Sequence, residues 1–529
     1  DLAMPLQGSR WITHGFGGGW ATDFCPTTYG SPNQEGQFII PFLRDARNTV
    51  FEFDGGPRKA PGTAVLNSVT LEAGASVRGM YDYWRQGTSD SATQQRIVHV
   101  GTKIKYDQGN GTFTDLFTGQ STTSIPQYST FDDLLIIGSS VNADTPKSWD
   151  GSTAQNLAGA PPAFGFSVNH KNHQFAAGAF ANPSRLYFSV PLNPEDWIGT
   201  GSGAIDIDPS DGDMITGVIS HKDKLFVFKG PNKGSIHVLS GSSLANWTRE
   251  PFVTGLPVAW IHSIFRFGDD IGFVTTNGSV HSLKATAAYG DFNQAWLSYP
   301  INKYMQESLN NSRARFFTTA TDPNRGYVFI GITPSGQATN TRYLIMDYRF
   351  LSQNEPYPRW SYWDSRAFAS IHLVRDNQRP RLMAGGYDGK IYKLDQTTRT
   401  DNGAAINMNV ETPSMTYGDE WLMKNLANIG VSLNAFSDDT VSVTWTLDGV
   451  SSYSASTTQG NTGSTFDNGL FDTAVFGGNS FLPRFFGIEN GGDFRSISYT
   501  FSDTANNTDL ELHRFMAKIT PCGEAEFNS

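Results

Sequence analysis

The residues best suited to chemistry are four closely spaced aspartates in the segment DIDPSDGD: Asp206, Asp208, Asp211 and Asp213. Two carboxylates that face each other across a cleft can hydrolyse glycosidic bonds, and a loop rich in carboxylates can bind calcium. The segment lacks the ligand order and the terminal Glu of an EF-hand loop, and the Pro, Ser and Gly between its aspartates favour turns. We therefore interpret these aspartates, and the adjacent pair Asp132–Asp133, as solvated turn residues.

Other patterns that could carry chemistry are incomplete. Lys147–Thr153 (KSWDGST) has part of the Asp-box pattern of sialidases, but it lacks the spacer before Gly and the closing Trp. His170 and His173 are close in sequence without a third metal ligand nearby, whereas His237 and His281 occupy matching repeat positions, which indicates packing within strands. No phosphate-binding loop, nucleophile elbow or zinc-binding His-Glu-x-x-His pattern is present. The sequence predicts no catalytic, metal-binding or cofactor-binding residue, and we expect the protein not to be an enzyme.

Several tryptophans could form platforms for sugar rings: Trp197, Trp247, Trp260, Trp360 and Trp363. Large aromatic side chains also fill the cores of β proteins, including the contacts between propeller blades. We expect packing rather than sugar binding at these positions.

The element that organises the chain is Val258–Leu283, which contains three short apolar strands, IHSIFRF, IGFVTT and SVHSL. Gly268–Asp270 separates the first two strands, and Asn277–Gly278 separates the last two. Asn-Gly between alternating apolar residues is the strongest short-range hairpin signal. The segment is predicted to be a three-stranded antiparallel meander.

Related units recur along the chain, each with an apolar strand, a turn that closes on glycine, and a strand that ends in Leu. The closing glycines are Gly111, Gly151, Gly234, Gly278 and Gly389. Spacings of about 40–45 residues are typical of the four-stranded blades of β-propellers. We predict six or seven blades within residues 67–400. The blade pattern fades between Lys284 and Ser370, where an inserted loop, a gate and a contact site for fibres are the alternatives.

The composition agrees with an all-β protein. The 529 residues include 54 Gly, 37 Phe, 19 Tyr and 12 Trp but only 17% charged residues, too few for long amphipathic helices. Short helices are predicted at Ile301–Leu309 and Glu420–Asn425. The chain has neither a run of apolar residues long enough to span a membrane nor an N-terminal signal segment, so we expect no membrane insertion.

Charge and cysteine usage limit the possible partners. The net charge of −11 offers no cationic surface that would neutralise phosphates, so specific binding to nucleic acid is not expected. Cys25 and Cys522 are distant in sequence and have no metal-binding spacing, and we interpret them as two separate thiols.

The two ends of the chain differ from the middle. Residues 1–66, broken by Gly and Pro, are predicted to be an extended arm with a strand at Asn48–Phe53, and such an arm must pack on its own core or on another subunit. Residues 401–529 are predicted to form a β-sandwich, with an exposed loop at Ser451–Asp467 and with strands at Leu426–Ala435, Thr440–Leu447, Arg495–Phe501 and Leu510–Ile519. The predicted fold is all-β, with an extended N-terminal arm, a six- or seven-bladed β-propeller and a C-terminal β-sandwich.

Eight stretches carry a family resemblance in combination: NTVFEFDGGPRKAPGT (48–63), RIVHVGTKIKYDQGNGT (96–112), TFDDLLIIGSSVNADTPKSWDG (130–151), NPSRLYFSVPLNPEDW (182–197), GVISHKDKLFVFKGPNKGSIHVLSG (217–241), FGDDIGFVTTNGSVHSL (267–283), FRSISYTFSD (494–503) and LELHRFMAKI (510–519). Together with the Gly-rich arm, they resemble the propeller-type tail proteins of tailed bacteriophages, the nozzle or packaged-DNA stabilisation proteins of short-tailed phages.

The resemblance implies a structural virion protein of the tail that is assembled in the host cytoplasm. It implies a homo-oligomeric ring, a hexamer in the family, which contacts portal and adaptor proteins and tail fibres or spikes. Genome DNA would pass through the channel of the ring during ejection without specific binding, and an acidic wall would keep it from condensing there. The resemblance transfers no active-site residue, no cofactor and no metal.

Two other classes of function are open alternatives. A glycan-cleaving tail protein predicts an activity that is lost when an acidic pair such as Asp206 and Asp208 is changed. A glycan-binding adhesin predicts a monomer or trimer that binds cell-surface sugar through exposed tryptophans. The ring protein predicts a large oligomer with head-to-tail interfaces and acidic side chains facing its axis.

Overall fold

The structure, a computed structural model, describes residues 10–16, 18–23, 27–28, 38–40, 42–52, 56–86, 93–107, 111–243, 245–283, 296–351, 357–376, 379–418, 420–435, 440–458, 482–488 and 491–524. Strands account for 56% of the chain and helices for 4%, so the fold is all-β as predicted. The chain divides into two compact units, each of which combines segments that are distant in sequence. Unit 1 comprises residues 1–64, 344–366 and 396–529, and unit 2 comprises residues 65–343 and 367–395.

The N-terminal strands are short: β1 (Arg10–Phe16), β2 (Thr27–Thr28), β3 (Phe38–Ile40), β4 (Asp45–Arg47), β5 (Thr49–Phe51), β6 (Pro57–Lys59) and β7 (Gly62–Val65). The predicted strand at Asn48–Phe53 is confirmed over β5, and Phe53 itself lies outside the described residues.

Unit 2 contains small antiparallel sheets whose strands follow one another in chain order. The first is β8 (Val77–Arg85), β9 (Thr93–Val100), β10 (Lys103–Asp107) and β11 (Phe113–Phe117). The second is β12 (Pro126–Phe131), β13 (Leu134–Ser139), β14 (Lys147–Trp149) and β15 (Ala154–Asn156). The third is β16 (Phe166–His170), β17 (His173–Ala177), β18 (Arg185–Phe188) and β19 (Gly203–Asp206). The fourth is β20 (Met214–His221), β21 (Lys224–Gly230), β22 (Ser235–Ser240) and β23 (Thr248–Thr254).

The fifth sheet is the predicted meander, with β24 (Ile264–Phe267), β25 (Asp270–Val274) and β26 (Val280–Ser282). Its first residues, Ile261–Ser263, form a 3₁₀ helix instead of a strand. The helices that follow are a 3₁₀ helix (Tyr299–Ile301), α1 (Asn302–Glu307) and a second 3₁₀ helix (Asn311–Phe316). The helix predicted at Ile301–Leu309 is therefore confirmed, over α1.

The remaining strands up to residue 396 are β27 (Thr318–Asp322), β28 (Tyr327–Ile332), β29 (Arg342–Asp347), β30 (Arg359–Trp363), β31 (Phe368–Asp376), β32 (Arg379–Gly386) and β33 (Ile391–Gln396). The last three belong to the sixth small sheet. The C-terminal strands are β34 (Thr400–Asp401), β35 (Ala404–Ala405), β36 (Met408–Glu411), β37 (Ser414–Met415), β38 (Leu422–Ala435), β39 (Thr440–Leu447), β40 (Ser451–Thr458), β41 (Leu482–Phe486), β42 (Asp493–Phe494), β43 (Ile497–Asp503) and β44 (Leu510–Glu524).

Six small sheets are arranged as the blades of a β-propeller. The first strand of each blade is the innermost, and successive inner strands pack side by side around the axis, with β31 returning to β8. The β27–β28 hairpin lies between the fifth and sixth blades, where β27 contacts both β24 and β31. The sequence left six and seven blades open, and the structure has six blades with this hairpin at one further position of the ring.

Side-chain hydrogen bonds join the inner elements at successive boundaries: Tyr81 OH with Thr130 Oγ1 (3.0 Å), Ser129 Oγ with Ser167 Oγ (2.8 Å), His170 Nδ1 with Ser220 Oγ (2.8 Å), Thr319 Oγ1 to the carbonyl of His262 (2.8 Å), the backbone N–H of Ile371 to Thr318 Oγ1 (3.2 Å) and Ser370 Oγ to the carbonyl of Val77 (2.8 Å). Polar groups near the axis are thus paired with partners on the next inner element, which offsets the cost of burying them.

The five repeat glycines all adopt positive φ, with values of 79°, 91°, 72°, 77° and 75° at Gly111, Gly151, Gly234, Gly278 and Gly389. This region costs glycine little because it has no Cβ. At Gly278 a Cβ would also lie 2.3 Å from the carbonyl oxygen of Met305. The prediction that each repeat turn closes on a conformationally special glycine is confirmed.

The propeller is closed by the segment that precedes its first blade. The backbone N–H of Leu66 donates to the carbonyl of Ile391 (2.8 Å), and the N–H of Ile391 donates to Asn67 Oδ1 (2.8 Å). The N–H of Leu71 donates to the carbonyl of Gly389 (3.0 Å). The start of the propeller chain is therefore hydrogen-bonded to the sixth blade.

Unit 1 is a β-sandwich, as predicted. One sheet has the order β3-β1-β44-β38-β41, and the other contains β2, β37, β43, β36, β4 and β30, with β39 and β40 attached to β43. Aromatic side chains from the two sheets meet between them: Phe501 lies 5.2 Å from Phe515 and 5.9 Å from Phe16, and Tyr499 lies 5.0 Å from Phe515, measured between ring centroids. These rings supply much of the apolar contact that holds the two sheets together.

The N-terminal arm is part of this sandwich. Strand β1 pairs antiparallel with β44, from Arg10 opposite Ile519 to Gly15 opposite Arg514, and pairs parallel with β3. The arm was predicted to pack either on its own core or on another subunit. Its described strands pack on the core of their own chain. The observed units also differ from the predicted division at residues 66 and 400, because pairing with β44 satisfies the backbone groups of β1, which an isolated strand would leave unpaired.

Two local predictions in the C-terminal region are wrong. Glu420–Asn425 was expected to be helical, but its residues from Leu422 onward form the start of β38. Ser451–Asp467 was expected to be a loop, but its first eight residues form β40, and the rest lie outside the described residues. No helix in the described ranges is long and apolar enough to cross a membrane.

Candidate functional site

The acidic segment is organised around a lysine ammonium group. Lys229, on β21, is fully buried, and its Nζ donates to the carbonyl oxygens of Ile207 (2.7 Å) and Asp208 (2.8 Å). It also donates to Asp211 Oδ1 (2.8 Å) and to Ser184 Oγ (3.2 Å). A calcium-binding loop would surround its metal ion with carbonyl and carboxylate oxygens of this kind, and in this segment the Lys229 ammonium group takes that position. Here the cation belongs to the chain itself.

Asp206 and Asp208 are each paired with an arginine. The guanidinium group of Arg185 holds Asp206 in a bidentate pair, with Nε–Oδ1 and Nη2–Oδ2 distances of 2.7 and 2.9 Å. Arg249 donates to Asp208 Oδ1 at 2.6 Å. These hydrogen bonds lower the pKa of both carboxyl groups. Both groups are therefore held as ionised carboxylates, and neither is a suitable proton donor for glycoside hydrolysis.

Asp213 and the pair Asp132–Asp133 lie in turns as predicted, but Asp213 is buried rather than solvated. Asp213 accepts the backbone N–H groups of residues 232–234 at 2.7–3.0 Å, so it caps the turn between β21 and β22. Asp132 and Asp133 have φ values of 46° and 60° at the corner between β12 and β13, as expected of a two-residue hairpin turn.

The segment that resembles an Asp-box is also a hairpin. Asp150 Oδ1 accepts the backbone N–H groups of Ser152 (2.8 Å) and Thr153 (2.7 Å), which shapes the corner between β14 and β15. The indole Nε1 of Trp149 donates to Gln95 Oε1 at 2.7 Å. Every polar contact of this segment therefore stabilises the turn and its neighbouring blade.

The matching histidines make matching contacts. His237 Nε2 lies 3.0 Å from Ser235 Oγ, and both residues are on β22. His281 Nε2 lies 2.8 Å from Ser279 Oγ; His281 is on β26, and Ser279 immediately precedes that strand. Both imidazoles are buried. The prediction that they pack within strands is confirmed.

The close histidine pair lies at the end of one hairpin. His170 and His173 are directly opposite each other on β16 and β17. His173 Nδ1 donates to the carbonyl of Ser189 at 2.7 Å, and burial lowers the pKa of His170 to about 4. Among the residues that the structure describes, no three His, Cys, Asp or Glu side chains are placed to hold a metal ion.

Most of the tryptophans are core residues, as predicted. Trp197, Trp260, Trp360 and Trp363 are buried, and Trp247 is half-buried against Phe188, at 4.7 Å between ring centroids. Cys522 is an exposed free thiol on β44, and Cys25 lies outside the described residues.

A site that the sequence did not indicate lies at the end of the propeller axis where the inner strands begin; we call it the axial mouth. Its three arginines are Arg78 from β8 and Arg313 and Arg315 from the second 3₁₀ helix, residues 311–316. Burial lowers the pKa of Arg78 and Arg315, and the positive charge of Arg313 lowers that of Arg78 further. The three groups thus share one electropositive region.

These arginines contact carbonyl oxygens and aromatic rings. Arg315 Nη2 donates to the carbonyl of Ser140 at 3.0 Å, and its guanidinium carbon lies 4.4 Å from the ring of Trp260 and 4.6 Å from that of Phe180. Arg313 lies 3.9 Å above the ring of Phe316. Within the described ranges, no carboxylate lies within ion-pair distance of either arginine or of Arg78.

Two cavities adjoin the axial mouth. A cleft of about 350 Å³ lies beside Arg315, and its lining includes Thr123, Ser140, Asn142 and Phe180. A smaller space of about 20 Å³ lies deeper on the axis, between Arg78, His262 and His372, with room for about one water molecule. Burial lowers the pKa of His372 to about 3 and also lowers that of His262, so both are neutral near pH 7.

Comparison with known proteins adds little beyond the fold. No protein-family model matches the chain, and no curated protein matches it. Solved structures similar to it include the computationally designed Ika8 protein (11% identity, 62% of this chain and 99% of that one, TM-score 0.34) and U3-55K (10%, 63% and 99%, TM-score 0.40). A third is YCF48 bound to a D1 peptide (9%, 64% and 97%, TM-score 0.38). By its own strands, the chain is a β-propeller protein with an added β-sandwich, a fold that does not define function.

Proposed function

We propose that the protein is a structural virion protein, a subunit of the nozzle or hub ring of a phage tail, which lines the channel for DNA retention and ejection. The sequence resemblance to tail proteins supplies the kind of assembly. The structural observation that supports it best is a free sheet edge in unit 1, strand β40, which is suited to pairing with another subunit.

Strand β40 pairs with β39 and, among the described strands, with no other, so within the described residues one side of its backbone has no strand partner, although β41 lies close to it. Its sequence, SSYSASTT, contains no charge and no proline. Ser451–Ser454 are exposed. Edge strands of monomeric proteins are normally protected by charged residues, prolines or bulges, because an uncharged edge is a template for another strand. An edge of this kind suits a chain that assembles through it.

A second exposed surface lies on the other sheet of unit 1. The side chains of Trp11 on β1 and Phe485 on β41 are 44% and 51% exposed, and their ring centroids are 5.5 Å apart. A closed ring needs two different surfaces on each subunit, one facing each neighbour. The β40 edge and this aromatic pair supply two such surfaces.

In this role the partners are further copies of the chain, arranged as a hexamer by analogy with the family, together with portal and adaptor proteins and tail fibres or spikes. The net charge of −11 suits a channel wall past which DNA slides without binding. We expect the purified chain to show no measurable affinity for duplex DNA at physiological salt.

The decisive experiment measures the mass of the purified chain by light scattering and images phage particles with antibody-labelled chain. The wild type is expected to form a large closed oligomer and to be found in the tail. The double substitution Ser454→Lys and Ser456→Lys should leave folded monomers with the circular dichroism spectrum of the wild type, because lysines at an exposed edge block strand addition without disturbing the core.

The matched control is Val69→Lys, which places the same charge at a 77% exposed apolar residue of unit 2 and should leave the oligomer intact. A wild-type chain that remains a stable monomer and is absent from virions would end the proposal.

A further inference from the structure

Two buried cations elsewhere in unit 2 have acidic partners. Arg96 is buried, and its Nη1 lies 3.0 Å from Asp107 Oδ2, while the ammonium group of Lys229 is paired with Asp211. Pairing is expected because a buried charge without a counter-charge costs several kcal/mol. The axial mouth brings together three half-buried arginines, and none of them has a carboxylate within ion-pair distance among the described residues, so a negatively charged ligand would be stabilised there.

The donors at the axial mouth are available to a ligand. A guanidinium group has five N–H donors, and its planar fork matches the two oxygens of a carboxylate or phosphate. Only Nη2 of the Arg315 guanidinium group makes a hydrogen bond among the described residues, to the carbonyl of Ser140, so its other donors are not used there. Arg315 lines both the cleft and the smaller space that Arg78 lines, so it can reach an oxyanion that enters from the cleft.

The Arg315 side chain is held in position before any ligand binds. Its guanidinium plane packs between the rings of Trp260 and Phe180, and Nη2 is anchored on the carbonyl of Ser140. A group that is already ordered loses little conformational entropy on binding, so more of the interaction energy appears as affinity. The nearby carboxylate of Asp144 accepts hydrogen bonds from Ser121 and Ser139, so its oxygens are already engaged.

The cleft also defines the size and character of the ligand. Its volume of about 350 Å³ is near the lower end of small-molecule sites. The hydroxyl groups of Thr123 and Ser140 and the amide of Asn142 offer polar contacts, while the ring of Phe180, which is 44% exposed, offers an apolar wall. A compact ligand with one oxyanion and one ring face fits these features.

We propose that the axial mouth binds a small ligand through a carboxylate or phosphate oxyanion, with Arg315 as its principal contact, Arg78 and Arg313 adding positive charge nearby, and Phe180 packing against the rest of the molecule. This site is separate from the surfaces of unit 1 through which the ring is proposed to assemble. Its test is therefore independent of the test of that assembly.

The two sources of the oxyanion are distinguished by the probes. Isothermal titration calorimetry of the full chain is carried out with inorganic phosphate, with glucuronate, which carries a carboxylate on a sugar ring, and with neutral glucose as the matched control. We expect at least one anion to bind with a Kd of about 1 mM or tighter and glucose not to bind. Heat from phosphate alone assigns the site to phosphate groups, and heat from glucuronate alone assigns it to carboxylates.

Arg315→Met should weaken anion binding at least about tenfold, because hydrogen bonds to charged groups contribute more than about 1.4 kcal/mol. Arg313→Met is a second test that leaves the Arg315–Trp260 contact in place, in case the first variant folds poorly. Arg185→Met, which removes an exposed arginine of the same unit, is the control and should bind as the wild type does. The proposal is overturned if neither anion binds, or if binding survives both Arg315→Met and Arg313→Met.

Discussion

Replacing Lys229 with methionine tests the conclusion that an internal cation holds the acidic segment together. Methionine keeps much of the length and apolar volume of the lysine side chain but removes its ammonium group. The carbonyl oxygens of Ile207 and Asp208 and the carboxylate of Asp211 then lose a donor that lies 2.7–2.8 Å away in the wild type. We expect a large loss of stability, because the carboxylate of Asp211 is left without the positive charge that Lys229 supplies.

The size of the effect follows from the burial of Lys229, which is complete, and of Asp211, whose side chain is 23% exposed. Removing one partner of a buried ion pair costs about 3–5 kcal/mol. Unit 2 contains about 300 residues, and for domains of this size 1 kcal/mol lowers the melting temperature by roughly 2 °C. The expected decrease for Lys229→Met is therefore roughly 6–10 °C.

The assay is thermal unfolding followed by circular dichroism, with Arg185→Met as the control. The Arg185–Asp206 pair is exposed, with side-chain exposures of 40% and 45%, so its loss should lower the melting temperature far less than the loss of the Lys229 ammonium group. A chelator should leave the wild-type melting temperature unchanged, since the lysine occupies the place that a calcium ion would take. If Lys229→Met melts within about 2 °C of the wild type, the ammonium group does not hold this segment and the reasoning fails.

Two further predictions concern unit 2. Gly278→Ala should lower the melting temperature by several degrees, because its Cβ would lie 2.3 Å from the carbonyl oxygen of Met305; differential scanning calorimetry should show a smaller loss for Gly268→Ala, which has positive φ but open space around its Cβ. Burial lowers the pKa of His99 and His281 to about 4, so the native state keeps them neutral while the unfolded state takes up protons below pH 6.5. Stability should therefore be full above pH 6.5 and decline toward pH 4 by up to about 1.4 kcal/mol per pH unit for each histidine. Urea unfolding at several pH values measures this slope, which should be shallower in His99→Asn; an unchanged slope would contradict the assignment.

The blades could be predicted from the sequence because their signals are local. Alternating apolar residues, and glycines such as Gly234 and Gly278 that adopt positive φ, encode each hairpin within about ten residues. The hairpin β27–β28 also has a corner glycine, Gly326, with a φ of 71°, but helices precede it and interrupt the regular repeat pattern. The sequence therefore could not decide between six and seven blades, and only the closed propeller shows how many elements surround the axis.

The errors arose where distant residues decide the local structure. The segment Glu420–Asn425 has a composition compatible with a helix, but its residues from Leu422 onward pair along β44, and this tertiary pairing overrides the local preference. The partner of the acidic segment, Lys229, lies on a different strand, so the turn was predictable and its central cation was not. Arg78 and Arg315 are more than 200 residues apart in sequence, and only the closed β-propeller brings them close together.

The way in which the propeller is closed also constrains its synthesis. Leu66 and Asn67 hydrogen-bond to Ile391, so the propeller cannot close until more than 300 further residues have been synthesised. At typical translation rates this takes roughly 15–65 s, and a fold that depends on such distant pairings forms slowly. A chain truncated before residue 391 lacks strand β33, to which Leu66 and Asn67 hydrogen-bond. Such a chain should accumulate in aggregates rather than in soluble form.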